Sequence, residues 1–353
     1  MRTTLWNVLK WFLFRLDAET AHRITISLIK VGVRLGNVPL RLLCSTPRSP
    51  IITITEALGS VPEVSVPRVL GMSFLSRVGL AAGFDKDAEI LQGLPVLGFG
   101  FAEIGTVTPV SQLGHDRPRL FRDLSRQSLF NRMGFNGLGA KVVAERLLRA
   151  RPGLPKHFRV GVNLGKNRDT PMEQASQDYV KAAVPFKGLA DYVVINVSSP
   201  NTLGLRSLQT LEALKPIVEG VNEVISGWNQ RPPLLLKLAP ELAGEALLEL
   251  IHPAERWGID GWVLTNTRAG TLGNGRFKDL TGGWSGKILA SEALARLKEA
   301  RTATSLPIIS VGGIFSVEEA ITRREAGADL IQIYSSWIFN GPSFPSEISK
   351  NLK

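Results

Sequence analysis

Short apolar runs recur along the chain, and most of them are followed by a stretch in which apolar residues have helical spacing. Each run is rich in β-branched or other apolar residues and ends in a glycine or a polar residue, which is typical of a buried strand. The eight runs are RVGLAAG, FAEIGTV, RVGVNLG, YVVINVS, LLLKLAP, GWVLTNT, PIISVGG and LIQIYSS. The helical stretches lie near residues 137–150, 173–189, 208–228, 242–256, 288–301 and 316–326.

Eight strands that alternate with helices predict an α/β protein with a closed (β/α)8 TIM barrel. A doubly wound open sheet is the alternative. However, no G-x-G-x-x-G sequence follows the first strand, and polar residues mark the carboxyl ends of nearly all eight strands, where a barrel builds its site. We therefore predict a barrel domain over residues 46–353 and a small helical arm over residues 1–45.

The arm is both basic and apolar. In residues 1–48, eight Lys and Arg residues stand against only Asp17 and Glu19, which is about half of the net charge of +11. A helix through LWNVLKWFLFRL has a broad apolar surface, formed by Trp6, Leu9, Leu13 and Leu16 on one face and extended by Trp11, Phe12 and Phe14. Because the basic residues alternate with apolar ones, we expect this surface to bind anionic lipid rather than nucleic acid. Packing of the helix on the barrel as ordinary core is the alternative.

The sequence predicts neither a membrane-spanning segment nor a secretion signal. The apolar run WFLF is flanked by Lys10 and Arg15 and is far shorter than the roughly 18–20 residues that a spanning helix needs. Lys10 also interrupts the apolar region of a signal peptide, and no small-residue cleavage site follows. Cys44 is the only cysteine, which excludes an intrachain disulfide and a cysteine-rich metal site. We expect an intracellular protein without a metal site.

Neutral hydrogen-bonding side chains and lysines mark the predicted strand ends. Four strands end in Asn163, Asn196, Lys237 and Asn266, Lys86 follows the first strand, and Asn131 lies in the long connection after the second. Asn supplies both a donor and an acceptor, so this set suits a planar ligand with carbonyl and imide groups, and Lys86 suits a carboxylate. The alternative for each Asn alone is a turn-forming role.

The last two strands carry features of a phosphate site. Gly312 and Gly313 end the seventh strand before a helix that opens at Ser316, so that backbone N–H groups can approach an anion. The neighbouring run LIQIYSS adds hydroxyl groups. Barrels often bind phosphate in the loops after strands seven and eight. A tight glycine turn without a ligand is the alternative.

A specific family resemblance rests on a series of motifs in a fixed order. These motifs are RLDAETAHRI in the arm, and AAGFDKD, EIGTVTP, RPRLFR, NRMGFNG, GVNLGKNRDTP, INVSSPNTLGLRSLQ, LLLKLAP, TNT, GGWSG, IISVGGI and LIQIYSS in the barrel. Together they resemble the dihydroorotate dehydrogenases of class 2, the membrane-associated, quinone-reducing class. The resemblance spans most of the chain, whereas the loop around residues 268–281 matches no motif closely.

The resemblance implies the oxidation of dihydroorotate to orotate in pyrimidine biosynthesis, with FMN as the hydride acceptor and a membrane quinone as the final electron acceptor. It places the catalytic base at Ser199, in the position where the soluble class has a cysteine. Pro200 restricts the backbone of Ser199 to extended conformations, which fixes where its side chain points. Lys237 is implied to lie at the pyrimidine edge of the flavin, where it would stabilise negative charge.

The resemblance also implies the remaining ligand contacts. The implied substrate contacts are Lys86, Asn131, Arg132, Met133, Gly134, Phe135, Asn196, Asn201, Asn266 and Thr267. The implied FMN contacts are Ala82, Gly83, Phe84, Asp85, Lys86, Thr106, Asn163, Asn196, Lys237, Thr265, Gly286, Gly313, Tyr334 and Ser335. His22 and Arg122 match positions beside the quinone head.

On this basis we expect a peripheral membrane protein at the cytoplasmic face of the inner membrane, with no nucleic-acid partner and no required protein partner. The arm would bind lipid and admit quinone, while the barrel performs the first half-reaction alone. Two other functions remain open from the residues themselves. One is a Schiff-base lyase or aldolase that uses Lys86 or Lys237. The other is a catalytically inactive barrel that only binds ligands.

Overall fold

The computed structural model describes residues 2–43 and 66–352. Its strands are β1 (Arg68–Val69), β2 (Met72–Ser73), β3 (Val78–Leu80), β4 (Phe101–Val107), β5 (Leu120–Asp123), β6 (Ser128–Asn131), β7 (Arg159–Leu164), β8 (Tyr192–Asn196), β9 (Leu234–Leu238), β10 (Gly261–Leu264), β11 (Arg268–Thr271), β12 (Thr281–Gly286), β13 (Ile308–Val311) and β14 (Leu330–Ile333). Its α-helices are α1 (Arg2–Leu13), α2 (Ala18–Arg34), α3 (Val38–Leu43), α4 (Ala140–Ala150), α5 (Ala175–Ala183), α6 (Leu211–Ser226), α7 (Glu245–Arg256), α8 (Ala290–Ala303), α9 (Val317–Glu325), α10 (Ser335–Asn340) and α11 (Phe344–Asn351).

Eight parallel strands close into a barrel in the order β3, β4, β7, β8, β9, β10, β13 and β14, and β14 pairs with β3. Each of the eight apolar runs in the sequence contributes one of these strands, and the six predicted helical stretches coincide with α4 to α9, although α8 extends two residues beyond its predicted end. The predicted TIM barrel is therefore confirmed, as is the helical extension at the amino terminus.

The alternation of side chains along the strands divides the barrel interior into layers. The layer at the amino-terminal ends is apolar and includes Phe101, Tyr192 and Leu235, all buried. The β1–β2 hairpin closes this end, since Phe74 packs edge-on against Phe101 with ring centroids 5.4 Å apart. Two residues further along several strands, the inward position is polar, as at Glu103 in β4, Lys237 in β9 and Gln332 in β14. The polar layer therefore lies towards the carboxyl ends of the strands.

A second sheet lies at the carboxyl ends of the barrel strands. It is antiparallel, in the order β11, β12, β6 and β5, and its segments come from the connections that follow β4 and β10. This sheet was not predicted from the sequence. Its strands include RAGT and TGGWSG, whose glycines have low strand propensity, and partners such as Asn131 and Gly283 lie 152 residues apart. The unmatched loop around residues 268–281 thus begins as β11.

The arm packs three helices against the barrel. α1 ends at Leu13, so Phe14 and Leu16 lie beyond the helix on which the sequence places them; Asp17 then starts α2 by accepting hydrogen bonds from the backbone of Glu19 and Thr20. None of the described helices is both long and apolar enough to cross a membrane. The proposed boundary between residues 45 and 46, and also Cys44, lie outside the described residues.

Candidate active site

One cavity at the carboxyl ends of the barrel strands gathers most of the residues that the sequence selects. Its walls include Ser199 and, from the implied substrate set, Lys86, Asn131, Met133, Gly134, Phe135, Asn196, Asn201, Asn266 and Thr267. From the implied FMN set they include Ala82, Gly83, Thr106, Lys237, Thr265, Gly286, Gly313, Tyr334 and Ser335. Residues from the barrel, the second sheet and the arm therefore share one enclosure.

Four residues of the implied substrate and FMN sets do not line this cavity. Asn163 lies beneath it, fully buried, and Arg132 lies outside it, with a backbone N–H that donates to the Arg119 carbonyl. The Asp85 carboxylate accepts hydrogen bonds from the backbone N–H groups of residues 89 and 90, a local structural role, and burial raises its pKa to about 6. Phe84 faces a second, apolar cavity instead.

The two serines after β8 have different surroundings. Ser198 is fully buried; its hydroxyl donates to Asn196 Oδ1 (2.9 Å) and accepts from Asn266 Nδ2 (2.9 Å). Ser199 lines the cavity, and its Oγ accepts a hydrogen bond from the backbone N–H of Asn201 (3.2 Å). The Ser199 hydroxyl proton therefore remains available to a ligand, whereas the Ser198 hydroxyl is used within the protein.

Amide side chains connect the strand ends in a continuous network. Asn196 Nδ2 donates to Thr106 Oγ1 (2.9 Å) and to Asn163 Oδ1 (3.0 Å), and Asn196 Oδ1 accepts from Asn266 Nδ2 (3.2 Å). Across the cavity, Asn201 Nδ2 donates to Asn131 Oδ1 (2.8 Å). Asn201 Oδ1 is buried and has no hydrogen-bond partner among the described residues. A buried acceptor without a partner at a cavity wall fits a ligand that brings an N–H group.

Glu103 is the acid in the floor of the site, and it is fully buried. Its Oε1 accepts from Asn163 Nδ2 (2.7 Å) and from Lys237 Nζ (3.1 Å), and its Oε2 accepts from Gln332 Nε2 (2.8 Å). Four barrel strands thus meet at one carboxylate, which also fixes the Lys237 ammonium. Glu103 was not selected from the sequence, although a charged residue inside the buried run FAEIGTV is a usable signal.

Lys86 lines the same cavity and is half-buried. Its ammonium donates to Asn136 Oδ1 (2.5 Å). Burial and then the positive charge of Arg119 lower the pKa of Lys86 to about 7, while Glu19 and Asp87 oppose this shift. A half-buried cation at a cavity wall, compensated only in part by its negative neighbours, can bind an anionic ligand. Glu19 comes from the arm and lines the same cavity, and it too was not selected from the sequence.

The glycine turn after β13 differs in one respect from the sequence expectation. Gly312 and Gly313 line the cavity with positive φ angles of 117° and 72°. The helix that follows is already capped, because the Glu319 carboxylate accepts from the backbone N–H groups of Phe315 and Ser316. An anion would therefore meet the glycine turn and the hydroxyl pair Ser285 and Ser335, whose oxygens lie 2.8 Å apart, rather than the start of α9.

The second cavity is apolar and lies between the arm and the barrel. It is lined by residues of α1, α2 and α3, by Phe84 and by Arg122, and it shares the walls His22, Leu120, Leu129 and Tyr334 with the first cavity. Burial, followed by the charge of Lys86, lowers the pKa of His22 to about 4, so its ring is neutral at pH 7. Arg122 donates to the carbonyls of Leu13 and Leu16 at the end of α1.

These features define a (β/α)8-barrel enzyme with a polar, ligand-sized site at the carboxyl ends of its strands. The sequence model of the family described as "Dihydroorotate dehydrogenase" matches residues 66–353. The chain belongs to this family, and it is an oxidoreductase.

Known proteins are similar to this chain over nearly its whole length. The chain is 40% identical to "Dihydroorotate dehydrogenase (quinone)" of Methylococcus capsulatus, covering 98% of this chain and 97% of that protein. It is 41% identical to the protein of the same name from Thermus thermophilus, covering 97% and 94%. The solved structure of DHODH from Eimeria tenella in complex with ferulenol superposes with a TM-score of 0.83 at 32% identity, covering 97% of this chain and 93% of that one. This membership decides against the lyase or aldolase alternative.

The buried pair in the floor leads to the first prediction. Glu103→Ala leaves the Lys237 ammonium buried without its carboxylate, so we expect a loss of about 3–5 kcal/mol in the free energy of unfolding, measured by urea denaturation. Glu103→Leu combined with Lys237→Met removes both charges, and we expect it to lose less than Glu103→Ala alone. The exposed Glu145 is the control, since Glu145→Ala should change stability by no more than about 0.5 kcal/mol. A Glu103→Ala protein as stable as this control would contradict the assigned role.

Proposed function

We propose that this protein oxidises dihydroorotate to orotate for pyrimidine biosynthesis, with FMN as the hydride acceptor and a membrane quinone as the final electron acceptor. The observation that carries the proposal is the single cavity in which the Ser199 hydroxyl faces Lys86 and the asparagine network. The protein should be yellow as purified, and its flavin absorbance should bleach anaerobically on addition of dihydroorotate. A colourless protein that cannot bind FMN would contradict the proposal, whereas flavin that binds without bleaching would indicate an inactive binding barrel.

Ser199 acts as the base that removes the proton from C5 of the substrate. A serine hydroxyl is a weak base, so it needs an enclosed site in which the proton can be passed on as the C5–H bond breaks. Ser199 is only 5% exposed, and the Asn201 N–H group holds its oxygen in place. The extended backbone imposed by Pro200 directs the side chain towards the cavity.

The substrate is held through its carboxylate and its ring. Lys86 binds the carboxylate, and Arg132, Met133, Gly134 and Phe135 belong to the segment that covers it. The amides of Asn131, Asn196, Asn201 and Asn266, with Thr267, bind the carbonyl and imide groups of the ring. The side-chain Oδ1 of Asn201 supplies the acceptor for a ring N–H group. Such positioning contributes much of the rate in reactions that need aligned atoms.

FMN, when bound, supplies the hydride acceptor for the C6 hydrogen of the substrate. Ala82, Gly83, Thr106, Thr265, Lys86 and Asn196 contact the flavin, while Gly286, Gly313, Tyr334 and Ser335 hold the ribityl and phosphate groups. Lys237 places a cation, fixed by Glu103, at the edge where negative charge accumulates. Asn163, Phe84 and Asp85 support these contacts from behind the cavity wall.

The quinone occupies the apolar second cavity, with its head at His22 and Arg122. The neutral, half-buried His22 ring stands between the two cavities and packs against Phe84 with ring centroids 4.6 Å apart. His22 and Tyr334, which line both cavities, would thus lie between a flavin in the first cavity and a quinone in the second. Residues 1–45 form the membrane-binding unit and residues 46–353 form the catalytic barrel.

The arm binds an anionic lipid surface. Its described helices expose eight large apolar side chains: Val8, Trp11, Phe12, Leu28, Val31, Leu35, Val38 and Leu42. Arg15 lies over the Trp11 ring, 3.4 Å from its centroid, which places a cation beside exposed apolar surface. The protein is peripheral and lies at the cytoplasmic face of the inner membrane, and neither a nucleic acid nor a protein partner is required.

The assignment of the base predicts a contrast between neighbouring serines. Ser199→Ala should leave FMN and orotate binding nearly intact but slow flavin reduction by orders of magnitude, because the proton loses its acceptor while the binding groups remain. Ser198→Ala should slow reduction less and weaken orotate binding instead, because Ser198 holds Asn196 and Asn266. Stopped-flow reduction and orotate titrations measure both effects. A Ser199→Ala flavin reduced at the wild-type rate would exclude this residue as the base.

The lowered pKa of Lys86 predicts how orotate binding depends on pH. Lys86 has a pKa of about 7 in the free protein and binds the carboxylate only when protonated, and a bound carboxylate raises that pKa. The Kd for orotate should therefore rise roughly tenfold per unit between pH 7 and 8.5. Lys86→Met should bind more weakly and with little pH dependence in this window. Flavin absorbance titrations measure the Kd, and a pH-independent wild-type Kd would refute the prediction.

The exposed aromatic pair on α1 predicts a separable membrane function. Trp11 and Phe12 are 61% and 52% exposed, so Trp11→Ser with Phe12→Ser should fold normally and reduce its flavin at the wild-type rate. Loss of these two side chains should weaken sedimentation with anionic liposomes and slow the reduction of long-tailed quinone in those liposomes, because each buried aromatic side chain contributes roughly 1.5–3 kcal/mol. The matched control, Val184→Ser, changes an exposed apolar residue of the barrel. Unchanged liposome binding would indicate that α1 is not the anchor.

A further inference from the structure

Glu19 is a buried carboxylate of the arm that joins the arm to the mouth of the barrel. Its Oε1 accepts from Arg119 Nη2 (2.8 Å) and from Arg117 Nη2 (3.0 Å), and its Oε2 accepts from Arg119 Nε (3.0 Å). Burial opposes ionisation of Glu19, but the hydrogen bond and the charge of Arg119 outweigh it and hold the pKa below its usual value. The Glu19–Arg119 pair is bidentate, and the two residues are only 7% and 6% exposed. Bidentate pairs of this kind are strong.

Arg119 uses its remaining nitrogen to hold a loop of the barrel. Its Nη1 donates to the carbonyl of Leu113 (2.6 Å) and to the carbonyl of His115 (2.8 Å). The Leu113 side chain is 91% exposed and contributes no buried apolar surface there. The early part of the loop is held separately, since Gln112 Nε2 donates to the carbonyl of Gly134. Arg119 therefore holds residues 113–115 together with the backbone N–H of His115, which donates to the Met133 carbonyl (3.2 Å).

His115 passes this constraint to the loop that carries Ser199. Its Nε2 lies 2.8 Å from the carbonyl oxygen of Asn201, so Nε2 carries the proton and donates it. The backbone N–H of the same residue, Asn201, donates to Ser199 Oγ, so that His115 is connected to Ser199 through Asn201. Two residues further on, Leu203 is 96% exposed, and the loop is anchored in the core only at Leu205, which is buried. The ring of His115 also lies so close to Gly134 that a Cβ atom there would be 2.7 Å from it.

We propose that Glu19 of the arm is a positioning residue for the first half-reaction, because it holds the Ser199 loop in its reactive conformation through Arg119 and His115. The inference rests on the role of Ser199 in the proposed function. It gives the arm a second task besides binding lipid and quinone. A barrel without its arm would then bind FMN but reduce it slowly, contrary to the sequence expectation that the barrel performs this step alone.

The chain offers a matched control for this link. Lys30, also on α2, forms an ion pair with Glu89 of the barrel at 2.6 Å, with side chains 39% and 30% exposed. This pair fastens the arm but makes no contact with the loop of residues 113–115. Lys30→Met therefore tests whether any lost arm–barrel ion pair slows the reaction. Arg206, which donates to the Ser198 carbonyl (2.9 Å), keeps the catalytic loop attached when the Glu19 link is broken.

The experiment uses the full, flavin-loaded chain. Glu19→Gln should slow anaerobic flavin reduction at saturating dihydroorotate by about tenfold or more, and His115→Phe should have a similar effect. Amide hydrogen exchange of residues 199–205 should become faster in both variants, without any substrate present. Lys30→Met should leave both measurements at wild-type values. Reoxidation of the pre-reduced enzyme by quinone is expected to stay within about twofold of wild type in His115→Phe, because this residue does not line the second cavity.

A double variant tests whether Glu19 and His115 act on the Ser199 loop through one connection or independently of each other. Glu19→Gln with His115→Phe should be no slower than the slower single variant, since both changes break the same connection. Multiplied effects would overturn the proposal, as would a Glu19→Gln rate equal to that of Lys30→Met. If Glu19→Gln lowers the melting temperature, His115→Phe still tests the link, because it leaves the arm–barrel ion pair in place. A wild-type flavin that dihydroorotate does not bleach would instead refute the proposed function itself.

Discussion

The buried carboxylate of Glu103 is the constraint on which the site depends. A charge without solvent must be paired and hydrogen-bonded, so β7, β9 and β14 have to present their donors at the depth of Glu103 in β4. A slip of two residues in β9 would place Leu235 or Ala239 beside the carboxylate instead of Lys237. Glu103 thus fixes the boundary between the apolar layer, which includes Phe101, and the polar layer that faces the ligands. The rigid floor follows from the same alternation that builds the barrel.

The walls above this floor come from segments that are far apart in the chain. The second sheet brings Asn131 to Asn201 of the barrel, and the arm adds Glu19 and His22. The arm is joined to the barrel by apolar packing as well as by ion pairs, since Ile26, Ile29 and Leu40 belong to the main core cluster. The site therefore depends on contacts between segments that are distant in the sequence.

Sequence patterns predicted the parts of the fold whose signal is local. The eight barrel strands are continuous apolar runs with polar ends, and a residue such as Lys237 could be placed at the site because it follows such a run. The β11–β12 hairpin could not be predicted, because its glycine-rich strands form only through pairing with β6. Glu103 and Glu19 were missed for a related reason. Their roles depend on partners that only the folded chain brings together, although an acid inside a buried strand marks Glu103 as unusual.

Glu19 and His22 lie three residues apart on α2, and therefore on the same side of the helix. Glu19 borders the polar cavity, while His22 stands in the wall between the polar and the apolar cavities. The orientation of α2 about its axis thus places Glu19 in its ion pair with Arg119 and His22 at the wall of the apolar cavity. A change in the position of α2 would therefore disturb the polar cavity and the wall of the apolar cavity together.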